Sequence, residues 1–195
     1  MRSTADFRHA VRTTSETGAA FVPDALVADD LAPVAGELAS AELEPLEAEH
    51  GVARQEGSIF VLTGDFPGYP AVAGLRDTLA ATIRGAGSGI SGLDRWYPNE
   101  ASIQRYDAAT LGITPHLDRK RYRYLVAVVT VEGAAEFTLC ANRDGNPLDV
   151  WQVSAGDLVL LRGPGLAGAE DGRPLHSVRG PAAGRRTSIG FRMAG

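Results

Sequence analysis

From about residue 101 to residue 193 the chain is written as eight short β-patterned runs divided by turns, and this punctuation narrows the available folds more than any other feature. The runs are ASIQRYD, GITPHLD, YRYLVAVVTVEG, AEFTLCAN, DVWQVS, DLVLLRG, PLHSVRG and RRTSIGFRM. RDGNP supplies hairpin chemistry between the fourth and fifth, and SAGD supplies a tight turn before the sixth. Eight strands of this kind must hide their edges and one face each. Folding into two facing sheets does both, which makes a double-sheet jelly roll (a double-stranded β-helix) the expected core.

The first hundred residues are built differently. GAAFVPDAL predicts a short strand entering a turn, and the stretch from Ala25 to Leu46 reads largely as amphipathic helix with Pro33 in its first turn. RQEGSIFVLTG alternates as one strand stopped by Gly64. FPGYPAVAGLRDTLAATIRGAG places Leu75, Leu79 and Ile83 on one helical face, with glycines closing it. The expectation is therefore a mainly β, α+β chain forming a single domain over residues 1–195. Residues 1–100 would support and cover a pocket in the jelly roll of residues 101–193.

Composition excludes several classes of function. A net charge of −5 and a pI near 5.4 argue against a surface built to hold nucleic acid. Cys140 is the sole cysteine, which rules out an internal disulfide or a cysteine zinc cluster and suits a small buried strand residue. The opening residues lack an apolar signal-peptide run, and no stretch is long and apolar enough for a membrane span, so a cytoplasmic protein is expected.

The chemistry lies in the strand-rich half. His116 and Asp118 are two residues apart, which on a strand puts them on one face. H-x-D alone is a common accident, but His176 follows in the seventh run. Two histidines and one carboxylate form the facial triad that holds Fe(II) with positions left open. In the last run Arg186, Ser188, Gly190 and Arg192 fall at period two on a common face, and an arginine beside a hydroxyl suits capture of a carboxylate. Gln104 and Tyr106 likewise share a face in the first run.

This order of motifs resembles that of the Fe(II)/2-oxoglutarate-dependent dioxygenases, over residues 101–193. Q-x-Y, H-x-D, His and R-x-S-x-G-x-R are particularly similar to the AlkB-type demethylases, where N-x-Y and R-x-N-x-T-x-R stand in the corresponding places. The chain departs in Gln104, Ser188 and Gly190. It also has a shorter step from His176 to Arg186, closer to hydroxylases of small molecules and proteins. The resemblance implies a cupin-like fold with Fe(II) on His116, Asp118 and His176, and with 2-oxoglutarate and dioxygen as co-substrates. Arg186 would hold the distal carboxylate with Tyr106 and Ser188, while Gln104 and Arg192 would lie near the other end. It further implies hydroxylation of a small molecule with release of succinate and carbon dioxide, and Asp118 speaks against halogenation.

Substrate contacts are expected from the RKRYRY run, where Arg119 or Arg121 would border the iron pocket and meet an anionic group. Arg54, Gln55 and Tyr69 would belong to segments over the barrel mouth. Tyr122 and Tyr124 suit either base stacking or packing on one sheet face. Two other readings stand beside the hydroxylase: a demethylase of nucleic acid or protein, and a jelly-roll binding module without catalysis.

Overall fold

Each of the eight runs after residue 101 forms a strand in the computed structural model, which describes residues 3–46 and 48–195. In chain order the elements are α1 (Thr4–Thr17), β1 (Ala19–Val22), α2 (Ala28–Ala39), β2 (Glu44–Pro45), β3 (Glu49–His50), β4 (Ala53–Glu56) and β5 (Ser58–Thr63). They continue with α3 (Pro70–Ala86), β6 (Glu100–Asp107), β7 (Gly112–His116), β8 (Tyr122–Glu132), β9 (Ala134–Cys140) and β10 (Pro147–Ser154). The last three are β11 (Leu158–Arg162), β12 (His176–Val178) and β13 (Arg185–Ala194). One sheet has the order β1-β11-β8-β13-β6-β5-β2 and the other β10-β9-β12-β7-β4-β3. These two facing antiparallel sheets, with helices against one of them, are a jelly roll.

The larger sheet is apolar on one side and mixed on the other because its strands alternate. Ile103 of β6, Leu125 and Val129 of β8 and Ile189 and Phe191 of β13 face the helices, where they meet Phe7, Leu38, Leu79 and Ile83. The opposite faces carry Val126, Tyr106 and Val159 toward Phe137, Val153 and Val178 of the smaller sheet. The helices are fixed by their ends. Gly18 closes α1 in the left-handed conformation, its N–H donating to the Thr14 carbonyl at 3.0 Å. Glu37 of α2 accepts from the N–H groups of Ala71 and Val72 at 2.6 and 3.0 Å, capping α3 from a neighbouring helix.

Several expectations for the first hundred residues need correction. The helix expected to reach Leu46 stops at Ala39, and Pro33 lies beyond its first turn. α1 was not foreseen, although Phe7, Ala10, Val11 and Thr14 form its buried face. RQEGSIFVLTG is two strands on different sheets: Gln55 pairs with Ile113 of β7, whereas Ser58 pairs with Arg105 of β6. The chain changes sheets at Gly57, directly over Tyr106. At its φ of +156° a Cβ there would meet the Tyr106 ring at 2.5 Å and the Arg105 carbonyl at 2.7 Å. Tyr122 and Tyr124 do not share a face. Tyr124 has a φ of +64° and packs with the helix-side cluster, while Tyr122 faces the interior.

Two glycines therefore predict opposite outcomes. Gly57→Ala adds a side chain where two neighbours already sit, and should destabilise the fold by about 1–3 kcal/mol. Gly36→Ala, inside α2 with open space around it, should stabilise by about 0.5–1 kcal/mol. Urea denaturation of the two variants checks both signs.

Candidate metal centre

β7 and β12 lie side by side with His116 directly opposite His176, which brings the two ring centroids to 4.3 Å. Each ring is oriented by its own backbone: His116 Nδ1 is 3.0 Å from the Thr114 carbonyl, and His176 Nδ1 is 3.0 Å from that of Pro174. A carbonyl can only accept, so Nδ1 carries the proton in both rings and each Nε2 keeps its lone pair free for a ligand. Asp118 differs from expectation in one respect. β7 ends at His116, so Asp118 stands on the following loop rather than on the strand. The three side chains nevertheless bring one donor atom each to within 4.8 Å of one another.

This donor set suits Fe(II). Two neutral imidazoles and one carboxylate leave coordination positions open, and among the described residues no fourth histidine, cysteine or carboxylate joins them to close a zinc site. Burial alone would push the Asp118 carboxyl up. Arg192, whose Nε lies 3.8 Å from Oδ1, outweighs it with help from Arg173, and the carboxyl is held below its ordinary value.

A cavity of about 450 Å³ opens beside these three side chains. One wall is the β6–β13 ladder, in which Gln104 faces Ser188, Ser102 faces Gly190 and Glu100 faces Arg192, while Tyr106, paired with Arg186, is buried without lining the cavity. Arg186 is 1% exposed and is held by hydroxyls alone: Nη1 donates to Ser188 Oγ and Nη2 to Thr130 Oγ1, both at 3.1 Å. Its Nε and the buried Tyr106 hydroxyl have no partner. Burial lowers Arg186 to about 10 and raises Tyr106 to about 12. A buried guanidinium facing two hydroxyls and a free phenol is an arrangement that a carboxylate would complete. Arg192 lies flat over Gly190, donating to its carbonyl at 3.1 Å, and a Cβ at Gly190 would meet the guanidinium at 2.9 Å.

The remaining sequence candidates divide. Gln55, Gln104, Arg119 and Arg121 line the cavity, but Arg54 and Tyr69 do not. Arg54 points outward on β4, where the burial alternates, and Tyr69 packs on Phe60 at 5.3 Å beside the helices. Arg121 is not free to act alone: it donates to Glu100 Oε2 at 2.6 Å, while the Tyr122 hydroxyl donates to Oε1 at 2.6 Å. Glu100, Thr130 and Arg173 were missed by the sequence reading. The first two had a signal, since Glu100 shares the period of Gln104 and Tyr106, and Thr130 that of Val126 and Val128. Beneath the two histidines runs a column of rings. Phe137 stacks on His176 at 5.4 Å, Trp151 on Phe137 at 5.9 Å, and Phe21 on Trp151 at 5.6 Å.

Burial, followed by the adjacent His176, lowers the pKa of His116 below its ordinary 6.5. Below that pH the unfolded chain takes up a proton that the folded protein refuses, so stability declines as pH falls. Denaturation of the metal-free protein between roughly pH 7 and 5 should show a loss of up to about 1.4 kcal/mol per pH unit from this group. His116→Asn should flatten that slope.

No protein-family model matches this chain, and no curated protein matches it. Solved structures do. A prolyl-4-hydroxylase from Pseudomonas putida is 21% identical over 97% of this chain and 100% of its own, with a TM-score of 0.65. A prolyl hydroxylase from Trichoplax adhaerens, in complex with a hypoxia inducible factor oxygen degradation domain peptide fragment, is 15% identical over 97% and 90%, with a TM-score of 0.67. An oxidoreductase of the 2OG-Fe(II) oxygenase family from Burkholderia pseudomallei is 16% identical over 99% and 91%, with a TM-score of 0.66. At these identities the likeness is one of architecture, and across nearly its whole length this chain has the jelly-roll fold of the 2OG-Fe(II) oxygenases.

Proposed function

We propose that this protein is a non-haem Fe(II)- and 2-oxoglutarate-dependent oxygenase that hydroxylates a small, anionic molecule. The observation that carries the reading is the convergence of His116, Asp118 and His176 within 4.8 Å on a cavity that Arg186 also lines. Fe(II) held there would activate dioxygen for the oxidative decarboxylation of 2-oxoglutarate to succinate and carbon dioxide, coupled to oxidation of a substrate C–H bond.

The chain's own residues have separable tasks. His116 and His176 present Nε2, and Asp118 brings the negative charge that a dication needs. Arg186 grips the distal carboxylate of 2-oxoglutarate in a fork, Ser188 keeps that fork planar to its target, and the Tyr106 hydroxyl donates to the same group. Gln104 and Arg192 serve the other end of the co-substrate. Ile113, Val128, Phe137 and Val178 exclude water from the reacting region. A volume of about 450 Å³ suits a metabolite-sized substrate. Arg119, on the cavity wall with Gln55, favours an anionic one despite the acidic whole, whereas Arg121 is engaged by Glu100.

Anaerobic titration with Fe(II) and 2-oxoglutarate should produce the weak visible charge-transfer band of the chelate, and succinate release can then screen substrates. His176→Ala should abolish most iron binding with the fold intact, and stoichiometric iron in that variant would refute the ligand assignment. Arg186→Ala should raise the 2-oxoglutarate requirement by at least roughly 30-fold, from a loss of about 2–5 kcal/mol. Arg185→Ala should change it little, because Arg185 is half-exposed and paired with Asp107 at 2.9 Å. Equal losses in the two arginine variants would reject the role given to Arg186.

A further inference from the structure

The metal carboxylate has a structural weakness. β7 leaves its ladder at His116, so no strand pairing fixes Asp118, and the loop that carries it also bears Arg119, Lys120 and Arg121. A carboxylate on a loop left untethered would pay an ordering cost on every metal-binding event.

Beside Glu100, which pairs with Arg121, and Arg192, which faces the Asp118 carboxylate, a further side chain reaches that loop at its backbone. Arg173 has a side chain only 10% exposed, and its Nη1 donates to the main-chain carbonyl of Asp118. Its other nitrogens are locked in a fork on Asp171: Nε donates to Oδ1 at 2.8 Å and Nη2 to Oδ2 at 2.9 Å. Asp171 is itself held by the N–H groups of Gly172 and Arg173 at 2.8 and 3.2 Å, and it faces Lys120 at 3.9 Å. One residue further on, the Pro174 carbonyl accepts from His176 Nδ1. The segment from Asp171 to His176 therefore orients the distal histidine through its backbone and the aspartate loop through its arginine.

We propose that Arg173, held rigid by Asp171, is a positioning residue of the metal centre, setting the direction of Asp118 toward His116 and His176 before the metal arrives. The inference rests on the reading of these three residues as metal ligands. Arg173 does not line the cavity. It acts on the peptide after the ligand, and it ties the two segments that supply the site, so either one disordered would misplace the other. Hydrogen-bond partners of this outer kind typically contribute 10–100-fold in metal affinity.

The test is Mn(II) titration of the full chain, with free Mn(II) read by electron paramagnetic resonance, alongside melting of the metal-free protein. Arg173→Ala should weaken Mn(II) binding by about 10–100-fold with metal-free melting unchanged. Arg173→Lys, which can still donate one hydrogen bond to the Asp118 carbonyl, should recover part of the loss. Asp171→Asn should weaken binding in the natural background and add nothing in Arg173→Ala, because it acts through that arginine. Wild-type Mn(II) affinity in Arg173→Ala overturns the inference, as does simple additivity of the two substitutions or a fall in metal-free melting that accounts for the lost affinity. His176→Ala separates the two levels. If the unaltered protein binds Mn(II) no better than that variant, the metal site itself is wrong and the inference falls with it.

Discussion

The register between β6 and β13 is the constraint on which the rest of the molecule turns. A slip of one residue would send Arg186, Ser188 and Arg192 into the helix-side core and bring Thr187, Ile189 and Phe191 into the cavity. Such a slip is prevented because β13 lies between two partners and is covered on both faces. Ile189 and Phe191 belong under the helices, alongside Ile103 and Ala101 of β6, and only one alignment puts them there. The apolar packing on one side of the sheet thus fixes the polar row on the other. Gly190 adds a local condition, because the absence of a side chain lets the Arg192 guanidinium lie against the sheet and reach Asp118.

The two faces also divide stability from chemistry. The helix side holds fully buried Leu38, Leu79, Ile83 and Trp96, a contiguous apolar core whose large side chains each contribute about 1.5–3 kcal/mol on burial. The interior side concentrates Glu100, Arg186, Arg192, Asp118 and two imidazoles around a cavity. Charges in such a place are unfavourable for folding unless paired. Glu100 is paired with Arg121, and Asp118 faces Arg192. Arg186 is left to hydroxyls, and this local disadvantage is tolerable because the opposite face is so well packed.

Most of the jelly roll was legible in the chain, for a physical reason. Its strands alternate and end at strong turn residues, as at RDGNP, where Asn142 Oδ1 accepts from the N–H groups of Asp144 and Asn146. Period two also located the row of Arg186, Ser188 and Arg192, and it would have located Glu100. Harder to read were features set by distant partners. Gly57 divides one alternating run between two sheets because Tyr106 stands beneath it. Tyr124 breaks the alternation by adopting a left-handed backbone where Gly92 and Gly165 make room for its ring. Arg54 points away from the cavity although its neighbour Gln55 lines it, because side chains alternate along β4, and Tyr69 belongs to a segment that starts α3 on the helix side rather than covering the cavity. Arg173 carries no periodic signal at all. Its partners are 2 and 55 residues away, and only the folded chain assembles them.

The ring column beneath His176 gives the protein a built-in optical reporter. Of its two tryptophans, Trp96 is fully buried among the helices and the larger sheet, its Nε1 donating to the Leu125 carbonyl at 2.7 Å. Trp151 stands in the column, separated from His176 by the single ring of Phe137. The ultraviolet emission of the molecule is therefore spatially divided, one fluorophore sensing the integrity of the core and the other, stacked through Phe137 on His176, sensing changes at that histidine.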